Sequence, residues 1–457
     1  MIKFYNSLTK NKDIFKPLKD KFVRMYVCGP TVYGPSHLGH TVTYIRFDFI
    51  RRYLEFLGYK VKFVMNITDI HDDILKKSRE LHLKPQKLAD KYTEEFFKDI
   101  KILKIKKAFK YPRVSDHLKE IINLIKILIK RGYAYETNDG VYFSVNKFKN
   151  YGRLSGRRVE KALTGTRVKT DKYEKEDVVD FALWKKENDE WLFDSPWGKG
   201  RPGWHIECSA MSIKYLGIPF DIHGGAIDLI FPHHENEIAQ SEAAYEKRFV
   251  NFYLHSGLLY INGQKMSKSL GNYIELKDYL KENSPRFLRF FVFKHHFRSP
   301  IDFNEKNIKE AKFAFENLNE KIAKLSQLKN IKGQIKINIK NYKRKIIEAL
   351  NDDFNSPLAL SYLFEFLNLV DELLTKEKLS EITRKEVLVF LKKLDKFMLF
   401  LFPWQKISKR IKKLINKRNK LRNLKKFEKS DKIREELKKE GILLIDIKNK
   451  SVVIILN

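Results

Sequence analysis

Cysteine is scarce in this sequence: the 457-residue chain contains two, Cys28 and Cys208. A long chain with so few cysteines is unlike a disulfide-stabilised secreted domain, and a single disulfide between these two positions is disfavoured. The N-terminal segment also lacks the apolar core, ended by small residues, that secretory signals carry. We therefore expect a cytoplasmic protein.

Long apolar runs are missing as well. The most apolar segment, Phe397–Trp404, is short and contains a proline, so it indicates a helix end in a core rather than a membrane span. There is no internal repeat and no Gly/Ser-rich linker. With 43% hydrophobic residues the chain is typical of a globular protein of about two to four domains, and we expect no membrane partner.

Acidic residues are too few to balance the basic ones: 57 Asp and Glu oppose 91 Lys and Arg, for a formal net charge of +34. Such an excess is typical of a protein with a nucleic-acid partner. The basic residues are spread along the chain, however, and Lys, Asn, Ile and Phe are frequent throughout. Charge alone therefore gives modest support for RNA binding.

The segment Pro30–His40 (PTVYGPSHLGH) carries the first motif. It follows the apolar run Lys21–Cys28 and precedes Thr41–Gly58, in which apolar residues recur at helical spacing. A strand, a Gly/Pro-rich turn and a helix predict an anion site, because the turn and the helix start expose backbone N–H groups. His37 and His40 are three positions apart at the predicted helix start and would share one face. This arrangement is common, so it does not identify a function by itself.

The elements around this motif predict a parallel sheet. Phe22–Val27 and Val61–Met65 are apolar strands on either side of the predicted helix Thr41–Leu57, which together form a βαβ unit. A later strand, Phe220–His223, ends at a pair of glycines, and we predict a second ligand-binding turn there. Ser78–Ile105 has the periodicity of a Lys-rich amphipathic helical stretch.

Both cysteines belong to a candidate metal site. The first ends the predicted strand before the motif, and the second lies near the start of a helix predicted to pack beside it. His233 and Glu237 are four positions apart at another helix start and face one way. Two thiolates, an imidazole and a carboxylate suit Zn²⁺. Spacing alone leaves His234 and Glu235 open as ligands, and it favours two buried cysteines beside a charged helix cap over a metal site.

A second motif, KMSKS at Lys265–Ser269, lies far downstream of HLGH. Lys-rich pentamers arise easily in so basic a chain, but this pair in this order is specific. It resembles the signature of class I aminoacyl-tRNA synthetases, in which HLGH takes the place of the HIGH motif. The resemblance implies nucleotidylyl transfer.

Further segments resemble one family within that class, cysteinyl-tRNA synthetase, over nearly the whole chain. They are FVRMYVCGPTVYGPSHLGH, NITDI, PRVSDHL, GRPGWHIECSAMS, DIHGGAIDLIFPHHENEIAQSEA, KMSKSLGN and DDFNSPLA. The resemblance implies that ATP and L-cysteine form cysteinyl-adenylate and that tRNA(Cys) then accepts the cysteinyl group. It also implies Mg²⁺ with ATP and one Zn²⁺ per subunit, which would distinguish the ionisable thiol of cysteine from the hydroxyl of serine.

The resemblance also implies roles for individual residues. The implied zinc ligands are Cys28, Cys208, His233 and Glu237. The implied catalytic residues are His37, His40, Lys265 and Lys268. The implied ATP-binding residues are His37, Gly39, His40, Gly225, Asp228 and Lys268. The implied cysteine-binding residues are Gly29, Thr68 and Trp204.

The predicted fold class is α/β: a Rossmann-like parallel-sheet catalytic domain with an insertion, then an α-helical bundle and a small basic C-terminal domain. The predicted domains are 1–110 (catalytic, first half), 111–200 (connective insertion), 201–250 (catalytic, second half), 251–315 (junction with the KMSKS loop), 316–404 (helical bundle for tRNA) and 405–457 (small basic domain for the anticodon). We expect a monomer. The tail Lys448–Asn457 lacks the Gly/Trp/Arg ending common in the family, so the mode of anticodon recognition stays open.

Three alternatives share parts of this pattern. A ligase that transfers cysteine to an amino-sugar acceptor would keep both signature motifs, but the predicted helical and basic C-terminal regions favour tRNA. A catalytically inactive RNA-binding paralogue would not need the intact motifs and the full set of metal-binding residues. A class I synthetase for another amino acid would have no reason to keep Cys28 beside the signature turn.

Overall fold

The computed structural model describes residues 1–157, 179–266, 271–329, 331–447 and 450–456. The chain divides into two compact units, formed essentially by residues 3–258 and 259–457. No helix in these described ranges is both long enough and apolar enough to cross a membrane. The predicted domain boundaries stay a prediction.

The first unit is a mixed α/β structure. Its strands are β1 (Lys3–Asn6), β2 (Asn11–Ile14), β3 (Phe22–Val27), β4 (Lys60–Met65), β5 (Ala134–Glu136), β6 (Gly140–Phe143), β7 (Phe181–Lys186), β8 (Gly200–Pro202), β9 (Phe220–Ala226) and β10 (Val250–Ser256). Its helices are α1 (Leu38–Phe56), α2 (Asp72–Glu80), α3 (Pro85–Ile102), α4 (Leu118–Lys130), α5 (Trp204–Leu216) and α6 (Glu235–Tyr245).

A parallel sheet in the order β10–β9–β3–β4 forms the centre of this unit. The predicted strand Phe22–Val27 is confirmed, and its neighbour β4 starts one residue before the predicted Val61. Helix α1 begins at Leu38 rather than Thr41, because His37 caps it. The parallel α/β core predicted from the sequence is therefore confirmed.

The glycine pair after Phe220 lies within a strand, not in the predicted turn. Strand β9 continues through Ala226, and Gly224 pairs with Val27 of β3. A Cβ atom at Gly224 would lie 2.3 Å from Cε1 of Phe47, so a side chain there would collide with α1. Gly224 therefore allows α1 to pack closely against the sheet.

The predicted helical stretch Ser78–Ile105 is helical over most of its length, but it is interrupted once. It contains the end of α2 and all of α3, separated by a short connection. His82 in that connection has a φ of +52°, which ends a helix, and Pro85 occupies the first turn of α3. Proline fits a first helical turn because that position needs no N–H donor.

A second sheet lies mainly in the region predicted as an insertion, and its last strand, β8, extends just beyond that region. It is antiparallel, in the order β5–β6–β7–β8. Lys185 of β7 and Arg201 of β8 both pair with Asp72 of α2, at 3.0 and 3.2 Å. These ion pairs connect the antiparallel sheet to the start of helix α2. Residues 158–178 of the predicted insertion lie outside the described ranges.

The second unit is mainly helical. Its helices are α7 (Leu276–Glu282), α8 (Pro285–Phe293), α9 (Glu305–Gln327), α10 (Ile339–Asn351), α11 (Ser356–Thr375), α12 (Glu381–Met398), α13 (Lys409–Asn423) and α14 (Phe427–Lys439). Its strands are β11 (Leu259–Ile261), β12 (Gln264–Lys265), β13 (Ile301–Phe303), β14 (Ile442–Ile447) and β15 (Lys450–Ile455). Strands β14 and β15 form a hairpin that packs with α13 and α14 around a small apolar core.

Candidate functional site

Four buried donors meet where β3, α5 and α6 come together. Cys28 directly follows β3, Cys208 lies in the second turn of α5, and His233 and Glu237 flank the start of α6. One ligand atom from each of them lies within 4.8 Å of the other three, and all four side chains are buried. The structure thus brings together the four residues that the sequence proposed as metal ligands.

A second set of donors overlaps the first. Cys28, His223, His234 and Glu237 also have ligand atoms within 4.8 Å of one another. The two sets share one cysteine and the glutamate, and they differ in their histidines and in Cys208. Only the first set supplies two thiols, the combination most typical of zinc.

The charges of the first set are strongly coupled. Burial raises the pKa of Cys28, whereas a hydrogen bond with Cys28 lowers the pKa of Cys208 to about 6. Burial opposes a charged His233, yet Glu237 and Cys208 raise the pKa of this imidazole to about 10. Burial likewise opposes a charged Glu237, but His223 and His233 hold its pKa at about 2. The cluster holds protons that a cation would displace.

Histidines outside the first set hold its members in place. The Nε2 atom of His234 lies 3.3 Å from Cys28 Sγ, and its Nδ1 lies 2.8 Å from His255 Nε2. His255 Nδ1 continues to Ser7 Oγ at 2.7 Å. Sequence reasoning missed His255 and Ser7, because they belong to other elements and follow no ligand spacing.

Trp204 and His205 cover the cluster from the start of α5. The Trp204 ring lies 4.5 Å from the His233 ring, and 37% of this tryptophan is exposed. His205 Nδ1 lies 2.9 Å from His233 Nδ1. The predicted cysteine contact Trp204 therefore lies directly beside a predicted metal ligand, with one side open to solvent.

Gly29 and Thr68 lie together at the end of the parallel sheet. The Gly29 N–H donates to Asn66 Oδ1 at 2.8 Å, and Asn66 Nδ2 donates to Thr68 Oγ1 at 2.9 Å. A Cβ atom at Gly29 would lie 1.8 Å from the Asn66 carbonyl oxygen. Glycine is thus required where the chain leaves Cys28, and Thr68 borders the same edge.

His37 and His40 form a ring pair at the start of α1. Their ring centroids are 3.7 Å apart, and the His40 N–H donates to His37 Nδ1 at 3.4 Å. Gly39 lies between them in the first turn. The placement of both histidines at a helix start, on one face, agrees with the sequence interpretation, and it leaves imidazole donors beside the positive end of a helix.

The remaining predicted residues belong to other elements. Gly225 lies in β9 near His234, where a Cβ atom would be 3.0 Å from the His234 ring carbon Cε1. Asp228 lies in the short 3-10 helix Ile227–Leu229 that follows β9. Lys265 ends β12 in the second unit and is exposed. Lys268 lies outside the described residues.

Comparison with known proteins gives a consistent result. Residues 14–313 match the model of the class I (C) tRNA synthetase catalytic domain, and residues 345–401 match the DALR domain. A cysteine--tRNA ligase of Thermococcus gammatolerans is 48% identical over 97% of both chains. The corresponding ligases of Methanococcus maripaludis and Carboxydothermus hydrogenoformans are 46% and 43% identical, again over at least 97% of each chain.

The fold also resembles a solved class I synthetase. Mycobacterium tuberculosis methionyl-tRNA synthetase, in complex with methionyl-adenylate, matches with a TM-score of 0.61 and 13% identity over 83% of this chain and 88% of the other. At this identity the likeness concerns the fold alone. The near full-length relatives and the matched catalytic domain together show that the chain belongs to the cysteinyl-tRNA synthetase family of class I aminoacyl-tRNA synthetases.

Proposed function

We propose that this protein ligates L-cysteine to tRNA(Cys) through cysteinyl-adenylate and selects cysteine with a zinc ion held by Cys28, Cys208, His233 and Glu237. The observation that carries the proposal is the buried cluster of these four donors beside Gly29 and Trp204. The family membership supports the ATP-dependent reaction.

The donors fit zinc in chemistry and in burial. Two thiols, an imidazole and a carboxylate within 4.8 Å are a set that zinc prefers. Zinc bound there would act as a Lewis acid, for which a thiolate is a good ligand and a hydroxyl is a poor one. Shape alone would separate cysteine from serine by roughly 1–3 kcal/mol, so chemical selection removes the need for an editing site.

The residues around the cluster orient the substrate. The edge formed by Gly29 and Thr68 supplies polar backbone and hydroxyl groups beside Cys28, and Trp204 provides an apolar wall. A bound cysteine would then present its carboxylate toward the crevice at the start of α1. That carboxylate is already an anion, so it attacks the α-phosphorus of ATP without a general base, and positioning supplies most of the catalysis.

The phosphates would lie against His37, Gly39 and His40 at the start of α1, where N–H groups and imidazoles favour negative charge. Gly225 and Asp228 would line the adenosine. Lys265 and Lys268 of the KMSKS loop would add positive charge as pyrophosphate leaves, and Mg²⁺ would accompany ATP.

The acceptor is tRNA in this proposal. The match to the DALR domain lies in the helical unit, and the basic helix α13 follows it. These features favour tRNA over an amino sugar. The chain would act as a monomer in the cytoplasm.

ATP–pyrophosphate exchange tests the proposal. Wild-type protein should exchange with cysteine and not with serine, and it should contain about one zinc per chain. Cys208→Ser should lose both zinc and exchange, whereas Ser212→Ala, one turn along the same helix, should keep both. Exchange with serine, or full exchange by a zinc-free protein, would contradict the zinc-based selection. Addition of tRNA or of an amino sugar then identifies the acceptor.

A further inference from the structure

Asn66 links the two segments that leave the parallel sheet beside Cys28. It directly follows β4, and it is 1% exposed. The Gly29 N–H donates to Asn66 Oδ1 at 2.8 Å, and Asn66 Nδ2 donates to Thr68 Oγ1 at 2.9 Å. One buried amide therefore contacts both of the residues at this edge that are predicted to bind cysteine.

These two hydrogen bonds fix the direction of the amide. A backbone N–H can only donate, so the atom that faces Gly29 must be the amide oxygen. The amide NH₂ group then faces Thr68, and because this nitrogen does not accept hydrogen bonds, the Thr68 oxygen is the acceptor. The proton of the Thr68 hydroxyl is consequently directed away from Asn66.

Within the described ranges this proton has no acceptor. Thr68 is 2% exposed, and its hydroxyl makes no hydrogen bond there apart from the one that it receives from Asn66. Its backbone groups are occupied, since the N–H donates to Pro30 O at 3.0 Å and the carbonyl accepts from the Val32 N–H at 3.2 Å. A buried O–H group without an acceptor costs stability unless a ligand supplies one.

The position of Thr68 indicates which substrate atom would supply the acceptor. Thr68 forms a parallel bridge with Thr31, which lies between Cys28 and the helix start at His37. A cysteine with its thiol at the proposed zinc site and its carboxylate toward α1 would pass this hydroxyl. The α-ammonium group of cysteine cannot accept a hydrogen bond, whereas its carboxylate oxygens can.

We infer that Asn66 is a positioning residue that fixes the Thr68 hydroxyl as a hydrogen-bond donor to the carboxylate of bound cysteine. The inference rests on the proposed function, because it takes cysteine as the substrate. A neutral donor orients the carboxylate without pairing it with a cation, so the oxygen that attacks ATP keeps its negative charge. Aspartate would not serve at this position, since it would accept from both Gly29 and Thr68 and so turn the hydroxyl away from the substrate.

Asn66→Asp and Thr68→Val test the inference in a double-mutant cycle, because each keeps the size of the side chain and removes the donor. The first probe is mercaptopropionate, which has the thiol and the carboxylate of cysteine but no amino group. Either substitution should raise its inhibition constant in cysteine-dependent pyrophosphate exchange by about 10-fold or more. The constant for cysteamine, which lacks the carboxylate, should stay close to that of wild type. The double variant should bind mercaptopropionate no more weakly than Thr68→Val, because Asn66 acts through the Thr68 hydroxyl.

Two further variants separate this role from a structural one. Thr68→Ser keeps the hydroxyl and should retain most of the affinity for mercaptopropionate. Asn319→Asp is the matched control, because Asn319 is also a buried asparagine, whose amide donates to Phe315 O at 2.6 Å, but it lies in α9 of the second unit. It should leave both inhibition constants unchanged. The zinc content of all variants should match that of wild type, since neither Asn66 nor Thr68 belongs to the donor cluster.

The outcomes separate this inference from the proposed function. If wild type exchanges with cysteine, but Thr68→Val binds mercaptopropionate as tightly as wild type does or loses affinity equally for cysteamine, only the role of Asn66 is overturned. An Asn66→Asp effect that persists in full in the Thr68→Val background also overturns it, because the new charge would then act directly on the carboxylate. So does an Asn66→Asp chain that neither folds nor retains zinc, since the amide would then serve the fold. If wild type does not exchange with cysteine, the proposed function fails as well.

Discussion

His223 and Glu237 form a fully buried pair, in which Nε2 of the imidazole lies 2.8 Å from Oε2 of the carboxylate. The other carboxylate oxygen, Oε1, lies 3.0 Å from His233 Nε2. Glu237 is therefore held between two imidazoles, of which one is a predicted zinc ligand and the other is not. A buried carboxylate is stable only with partners of this kind.

Substitution of His223 should loosen the metal site without removing a predicted ligand. In His223→Asn the carboxylate of Glu237 loses one of its two partners, so zinc affinity should fall by about 10-fold or more. Chelator competition on the purified variant measures the change. His82→Asn, an exposed position between α2 and α3, is the control. Unchanged affinity in His223→Asn would show that the pair does not orient Glu237 for a cation.

Substitution of His40 should impair the proposed phosphate site without affecting the proposed zinc site. In His40→Ala the ring pair with His37 at the start of α1 is lost. We expect cysteine-dependent pyrophosphate exchange to fall by about 100-fold or more, because a preorganised donor is missing from the phosphate site. Zinc content should be that of wild type, since His40 is not in the donor cluster. A variant that exchanges normally, or one that also loses zinc, would contradict this division.

Gly29→Ala should distort the backbone at the end of the parallel sheet, next to Cys28. The added methyl would lie 1.8 Å from the Asn66 carbonyl oxygen, so one of the two segments must move. We expect a loss of about 1–3 kcal/mol in the free energy of unfolding, together with weaker cysteine binding. Chemical unfolding and the KM for cysteine measure the two effects.

Gly132→Asn is the control for Gly29→Ala. A Cβ atom at Gly132 would meet no atom within 4 Å, and asparagine tolerates the φ of +76° found there. Its stability and its KM should stay close to those of wild type. Equal behaviour of the two variants would mean that the segments around Gly29 adapt freely.

The ion pair between Asp446 and Arg418 in the second unit should make the stability of the protein depend on pH in the acid range. A hydrogen bond from the buried Arg418 holds the pKa of Asp446 at about 2, below its ordinary 3.8. A carboxyl whose pKa is lowered by folding stabilises the fold above its unfolded pKa, and this contribution is lost as pH falls toward 2. Wild type should therefore be more stable than Asp446→Asn at neutral pH, and the difference should shrink between pH 4 and pH 2.

Urea unfolding of both proteins across this pH range measures the difference. The exposed Asp431 supplies the control, because Asp431→Asn should differ little from wild type at any pH in the range. A wild-type advantage over Asp446→Asn that stays constant down to pH 2 would contradict the ion pair with Arg418.

Local sequence patterns were enough to predict the central elements and the family. The apolar run Phe22–Val27 is a strand with the predicted bounds, because a strand buried on both faces needs continuous apolar residues. The sequence was insufficient where an element meets a distant residue: the glycine pair predicted as a turn lies inside β9, where Phe47 of α1 packs close to Gly224. The roles of the predicted site residues stay predictions.

The sequence by itself determined the chemistry available to this protein: two cysteines, the HLGH and KMSKS motifs, and a His–Glu pair at helical spacing. Only the tertiary structure decided which groups surround those donors. His234 lies 206 positions from Cys28 along the chain and bonds to the still more distant His255, and periodicity states which face a residue occupies but not what packs against it. The packing of α5 and α6 against β3 sets those distances, and with them the charge that the site can hold.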